Sequence, residues 1–367
     1  MYDVKAKRGG GERGATIRLR RFMPLFSLLL LCGVVVLTGC TATPATEDRE
    51  ELSTTPLVWP LPPAEPRIEF SQVISSPSDV KGKKGFFKKL AALIFGEKEE
   101  RIVKPYGVTV DGTGRIIIAD TALKRVHIFD KEEKKYSLIE KAGRTRFVSP
   151  VGVATDGDDN IYVSDSELKK VFKLNSKGKR KALLEGELKR PTGLAMNRAE
   201  GVLYVVDTWD HNVKAFNTEG KHIFTIGRRG LGKGKFNYPT DVFVDREGAI
   251  YVTDSMNFRV QVFDKRGKFL TLFGNHGDGS GDFARPKGIG VDGEGNIYVV
   301  DALFDVIQIF DREGNYLFGF GGTGQKRGSF WLPGGLFVDG DDNIYVADAY
   351  NRRVQVFKYL GGGPKDG

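Results

Sequence analysis

Cysteine is nearly missing from this 367-residue chain: there are two, Cys32 and Cys40, both before residue 41. The body of the protein therefore has no disulfide framework and no thiolate metal site. Long apolar runs are missing too, apart from Phe22–Leu37. That run is broken by Pro24 and falls short of the ~20 residues a spanning helix needs. A surplus of charge is missing once the N-terminus is set aside. The formal charge is +9, but residues 1–21 alone hold seven Lys/Arg against two Asp/Glu. From Cys40 onward the balance is 49 basic to 45 acidic, which makes no electrostatic case for a nucleic-acid partner. What is plentiful is glycine, 47 residues. That is about 13% against a usual ~7%, and it favours many short strands joined by tight turns.

The segment RLRRFMPLFSLLLLCGVVVLTGC has a basic start, a short apolar stretch and small residues at its end, the organisation of a secretory signal peptide over residues 1–39. Its last four residues, Leu37-Thr38-Gly39-Cys40, resemble the bacterial lipobox. That resemblance implies lipidation of Cys40, which becomes the mature N-terminus, and a membrane anchor of several acyl chains. Thr41 in place of Asp, which some Gram-negative bacteria use for inner-membrane retention, points to the periplasmic side of the outer membrane. Residues 40–66, rich in Thr, Pro and Glu, read as a flexible tether, and 361–367 as a disordered tail.

Six apolar runs end in aspartate: IIIAD at Asp120, IYVSD at Asp165, LYVVD at Asp207, IYVTD at Asp254, IYVVD at Asp301 and IYVAD at Asp348. The steps between them are 45, 42, 47, 47 and 47 residues. A fixed period of that length with strand patterning indicates propeller blades. Each copy parses into four strands, with Asp-Gly turns between them. The last copy stops after its third strand, VQVF, and would expose an unpaired edge; RIEFSQVI, Arg67–Ile74, is the expected supplier of the fourth. The fold expected is all-β, a six-bladed propeller of four-stranded antiparallel blades over residues 67–360. An amphipathic helix is expected at about 84–96, where Phe86, Phe87, Leu90, Ala91 and Ile94 share one side.

Phrases such as PTDVFVDREGAIYVTDSMNFRVQVFDKRGKFLTLFG resemble the NHL repeat from about Pro105 to Phe357. That family spans binding scaffolds, receptor sensor domains and a few enzymes, so the resemblance speaks to fold before function. The six aspartates read as structural: each ends the second strand of its blade, and a basic residue follows five positions later in four copies, Arg125, Lys170, Arg259 and Arg353.

Function then lies where the copies differ. The long junctions GRRGLGKGKFNYP, GNHGDGSGDFARP and GGTGQKRGSFWLP each carry a Gly-x-Phe step, whose Phe236, Phe283 and Phe330 are expected to pack between blades. The same junctions carry Arg228, Arg229, Lys233, Lys235, Arg285, Lys287, Lys326 and Arg327, with Trp209, Trp331 and Tyr350 among them on one face. These residue types suit interaction surfaces and suggest a protein or anionic envelope polymer as partner, bound by a monomer. An enzymatic alternative is a zinc lyase similar to the peptidyl-hydroxyglycine amidating lyase, or a calcium hydrolase of lactonase type. The four histidines fall outside the expected innermost strands, and Asp241 is the one channel-facing acid proposed there. No cofactor is expected.

Overall fold

The computed structural model describes residues 56–81, 100–184 and 186–361. Cys40, the signal segment and the helix expected at 84–96 lie outside the described residues. Five complete blades follow one another, each with strands a to d from the axis outward. They are 105–110, 116–120, 125–130 and 135–139; then 150–155, 161–165, 170–174 and 180–183; then 191–197, 202–207, 212–217 and 222–226. Blade four comprises 239–244, 250–254, 259–263 and 269–273, and blade five 286–291, 297–301, 306–310 and 316–321.

Blade six takes strands a to c from 336–338, 343–348 and 353–359. Ile68–Ile74 pairs antiparallel with Arg353–Tyr359 as its fourth strand, so the two ends of the propeller sequence close the ring in one sheet. The structure then departs from the sequence reading. Val58–Trp59, placed in the tether above, adds a fifth strand against Ile68 and Glu69. Trp59 lodges between Phe320 and Phe357, with ring centroids 5.6 and 5.8 Å away. Strand pairing is thus present before residue 66, because the prolines around this dipeptide do not prevent a two-residue edge pairing.

The repeated phrase has a local reason. In DGEGNIYVVD, Asp292 Oδ1 accepts the amides of Glu294 and Asn296, 3.0 and 2.9 Å away. Its Oδ2 accepts the hydroxyl of fully buried Tyr298 at 2.7 Å. The turn aspartate therefore fixes the a–b hairpin and satisfies the tyrosine of strand b, leaving the ring free to pack between blades. Asp156 with Tyr162, Asp245 with Tyr251 and Asp339 with Tyr345 repeat the arrangement.

At the other end of strand b, the six aspartates tie each blade to the junction before it. Asp120, Asp165, Asp207, Asp254, Asp301 and Asp348 are fully buried. Each accepts backbone amides from the segment leading into strand a, for example Asn237 N at 2.7 Å by Asp254 and Trp331 N at 2.9 Å by Asp348. The basic residue five positions on joins in blades four and six, where Arg259–Asp254 and Arg353–Asp348 lie at 2.8 and 2.7 Å. In blade one Arg125 turns to Glu100 and Glu140, and Asp120 faces His127 at 3.4 Å. Lys170 of blade two makes no ion pair among the described residues, and Lys214 serves Asp207 at 3.1 Å.

In blades four to six a glutamine two residues further along pins the long junction. Gln261 Nε2 donates to the carbonyl of Lys235, Gln308 Nε2 to that of Asp282, and Gln355 Nε2 to that of Ser329. Their Oε1 atoms accept the amides of Gly234, Gly281 and Gly328. The hydrophobic plug beneath each junction is fully buried in Phe236, Phe283 and Phe330. Ile102, Phe147 and Leu188, three residues before the proline of strand a like those phenylalanines, are buried likewise.

Candidate functional site: the channel mouth on the loop face

Strand a of blades one to five breaks register near its start, which turns one residue per blade toward its neighbour. Five of the six equivalent residues are glycine: Gly107, Gly152, Gly193, Gly288 and Gly335. The sixth is Asp241. A Cβ on Gly152 would lie 2.1 Å from the Thr192 carbonyl oxygen, and one on Gly107 or Gly335 would lie 2.4 Å from the carbonyl of Val151 or Tyr106. The innermost strands thus meet backbone to backbone at a neck that only glycine admits. Asp241 fits because its neighbour is Gly193, whose Cβ would lie 2.3 Å from the carboxylate.

Hydrogen bonds belt this neck. Thr192 Oγ1 donates to the Thr240 carbonyl, Thr240 Oγ1 to that of Lys287, Gly288 N to that of Gly334, and Gly335 N to that of Tyr106. Asp241 accepts the amides of Val242 and Ile289. Burial nevertheless pushes its carboxyl up to about 8, those amides pulling the other way.

A cavity of about 420 Å³ runs along the axis, lined by the six strands a and by Asp241. Two arginines lace its end on the a–b turn side. Arg198 of blade three donates to the carbonyl of Val110 and to both oxygens of Thr155. Arg246 of blade four reaches the Gly340 carbonyl of blade six at 2.8 Å.

Beyond the neck, on the other face, lie the b–c and d–a loops, which bond to each other around the ring, as in Met256 N to the Asn237 carbonyl and Tyr350 N to that of Trp331. The residue after the strand-a proline stands just outside the neck, and in blades one and five it is Tyr106 and Lys287. Lys287 Nζ lies 5.9 Å from the Tyr106 ring centre, Lys104 Nζ 5.7 Å from that of Tyr350, and the Arg190 guanidinium 5.0 Å from that of Trp209. Burial lowers Lys287 to about 8, and Arg285 and Lys104 beside it act in the same direction, against Asp305. Burial and Asp241 raise the Tyr106 phenol to about 12.

The residues expected to share this face divide. Arg285 and Lys287 meet at the mouth. Arg229 approaches His211, whose ring it helps hold below its usual value after burial, the larger cause. Arg228 is exposed on its loop, and the Lys235 stem packs on Gly230. Lys233 and Arg327 fold outward over Phe269 and Phe70, rings of outer strands, at 5.8 and 6.0 Å. Lys326 gives its carbonyl to Arg353 while its side chain is exposed. Trp209, Trp331 and Tyr350 remain exposed by 52%, 43% and 49%, joined by Tyr238, Met256, Leu303 and Phe304. Lys104, Tyr106 and Arg190 were missed in the sequence. Their signal was position, since each flanks the proline that opens a strand a. Among the described residues no three His, Cys, Asp or Glu side chains converge as metal ligands.

This architecture is that of a six-bladed β-propeller. The family model described as "6-bladed beta-propeller" matches residues 194–257 and 246–308, and that of the NHL repeat matches 330–357. The protein is a propeller of NHL type. No curated protein matches the chain. Among solved structures, a gluconolactonase from Xanthomonas campestris is 14% identical with a TM-score of 0.54, covering 79% of this chain and 98% of its own. Virginiamycin B lyase from Staphylococcus aureus is 15% identical with a TM-score of 0.53, covering 70% and 96%. An auxiliary nutrient binding protein from Bacteroides thetaiotaomicron is 14% identical with a TM-score of 0.56, covering 71% and 70%. At such identities the likeness is one of fold.

Proposed function

We propose that the chain is a lipid-anchored scaffold of the cell envelope. Cys40 holds it to the membrane, and the loop face of the propeller captures a protein or an anionic envelope polymer without catalysis. The observation that carries this reading is the asymmetry of exposed apolar side chains. Trp209, Tyr238, Met256, Leu303, Phe304, Trp331 and Tyr350 all stand on the loop face, whereas on the turn side, among the described residues outside strands, only Leu61 and Leu360 beside the closing strand are large, apolar and exposed. Aromatic groups around recessed cations are the composition of an interaction surface. The similarity to a lyase and a lactonase is a similarity of fold, whereas the loop face is a property of this chain.

A photo-crosslinking residue at Leu303 is expected to give a discrete adduct in intact cells, and the same probe at Glu313 on the turn face none. Equal labelling from both positions, or from neither, defeats the assigned face. Cys40→Ser is expected to release the chain from the membrane fraction; retention there would remove the anchor from the proposal.

A further inference from the structure

The cations at the mouth are placed against their own electrostatics. Lys104 comes from the entry to blade one, Arg190 from the entry to blade three, and Arg285 and Lys287 from blade five. Ring closure brings these three regions of the sequence to one opening. Among the described residues neither Lys287, Arg285 nor Lys104 has an ion pair, and Arg190 shares only the exposed Glu167 at 3.3 Å. The carboxylate nearest in effect, Asp305, is already engaged: it accepts the Leu332 amide at 2.7 Å and the Thr323 hydroxyl at 2.8 Å. Lys287 is half-buried, so its charge is partly stripped of water with no counter-charge supplied by the chain. On the turn face, the exposed Lys265 and Arg312 do find carboxylates, Glu200 at 2.7 Å and Glu247 at 2.9 Å.

We propose that the channel mouth is an oxyanion site, in which one carboxylate or phosphoryl group of the ligand sits over the axis against Lys287, Arg285 and Lys104. This rests on the scaffold reading and names the chemistry the scaffold recognises. The Tyr106 ring lies against Lys287, its centre 5.9 Å from Nζ, and its phenol, raised to about 12, brings no negative charge to the site at neutral pH. Asp241 behind it, with its carboxyl near 8, is mostly protonated at neutral pH and leaves the cations uncancelled. Arg190, held over Trp209, widens the positive rim. An oxyanion supplies the missing counter-charge by charge-assisted hydrogen bonds. The groups facing Lys287 are Tyr106, Arg285, Lys104 and Asp305. Lys287 loses its positive charge and Asp241 gains a negative one near pH 8, so affinity falls as pH rises through that value.

The test is calorimetric titration of the full chain in detergent micelles with inorganic phosphate, glucuronate and glucose at low salt. Phosphate or glucuronate is expected to bind and glucose not. Lys287→Met and Arg285→Ala are each expected to weaken binding at least about tenfold, while Arg312→Glu on the turn face changes it little. Binding of glucuronate alone assigns the site to a uronate-bearing polymer, and of phosphate alone to a phosphoryl group. Lys287→Met removes a desolvated charge, so its thermal midpoint should not fall, which separates lost binding from lost folding. Unchanged affinity in Lys287→Met, or no binding of either anion, overturns the oxyanion site. Crosslinks from Leu303 persisting in that case would leave the scaffold reading standing on its aromatic face.

Discussion

The two faces of this propeller are built from the same repeat and have opposite characters. On the a–b and c–d turn face, several charges pair between blades and few large apolar groups are exposed. Asp-Gly turns close on their own side chains, ion pairs bridge neighbouring blades, and Arg198 and Arg246 lace the axis. On the loop face the backbone is secured as tightly, by Asp, Arg and Gln side chains, yet the surface above it holds Lys104, Arg285 and Lys287, which have no ion pair among the described residues, and exposed aromatic rings. A face whose polar groups satisfy one another needs no partner. A face rigidly held from beneath but unsatisfied above is suited to receive one, because little ordering remains to oppose binding.

The largest test of this comparison is at the neck. Gly152→Leu drives a side chain into the Thr192 carbonyl and should cost on the order of 3–5 kcal/mol in urea unfolding. Gly157→Ala in a turn, with open space at its Cβ position, should stay within ~0.5 kcal/mol. Similar costs would mean that the innermost strands do not touch as described.

Asp241→Asn should stabilise the fold, by an amount set by pH. The folded carboxyl is raised to about 8, so the folded state keeps a proton that the unfolded chain releases near 4. Stability of the parent therefore falls as pH rises between those values. The gain from Asn should be on the order of several kcal/mol at pH 8 and about 1–2 kcal/mol at pH 5. A midpoint difference independent of pH would count against a desolvated acid at the neck.

Arg353→Ala strips the buried Asp348 of its cation and frees the carbonyls of Lys326 and Ser329. It should cost roughly 3 kcal/mol. Arg312→Ala, which removes an exposed pair on the turn face, should change stability by less than ~1 kcal/mol. Chemical denaturation of the two variants side by side compares loop anchoring with surface pairing directly. The smallest expected effect is at the edge strand: Val58→Pro should lower the midpoint by no more than a few degrees if the ring closes chiefly through Ile68–Ile74.

Much of the fold was legible because each blade is a local object. The boundaries of blade four follow from Pro239, the Arg246-Glu-Gly turn, the IYVTD run and the Asp264–Gly267 turn, all within one repeat. Phe236, Phe283 and Phe330 were legible as plugs because a large apolar residue in a glycine-rich loop has few other places to go. Val58–Trp59 was not legible, since two residues among prolines carry no periodicity. The outward turn of Lys233 and Arg327 over Phe269 and Phe70 was not legible either, because long side chains follow the apolar surface nearest them.

The sequence by itself determined the number of blades, the strands within each, the closing strand and the loops on which variation is concentrated. It could do so because hairpins join neighbours in the chain and turn chemistry is short-ranged. Only the tertiary structure decided which loop residues meet. Lys104, Arg190 and Lys287 come together because six strands close around one axis, and the ring sets that distance. The same closure converts five glycines and one aspartate, unremarkable in their separate repeats, into a single neck with one buried acid.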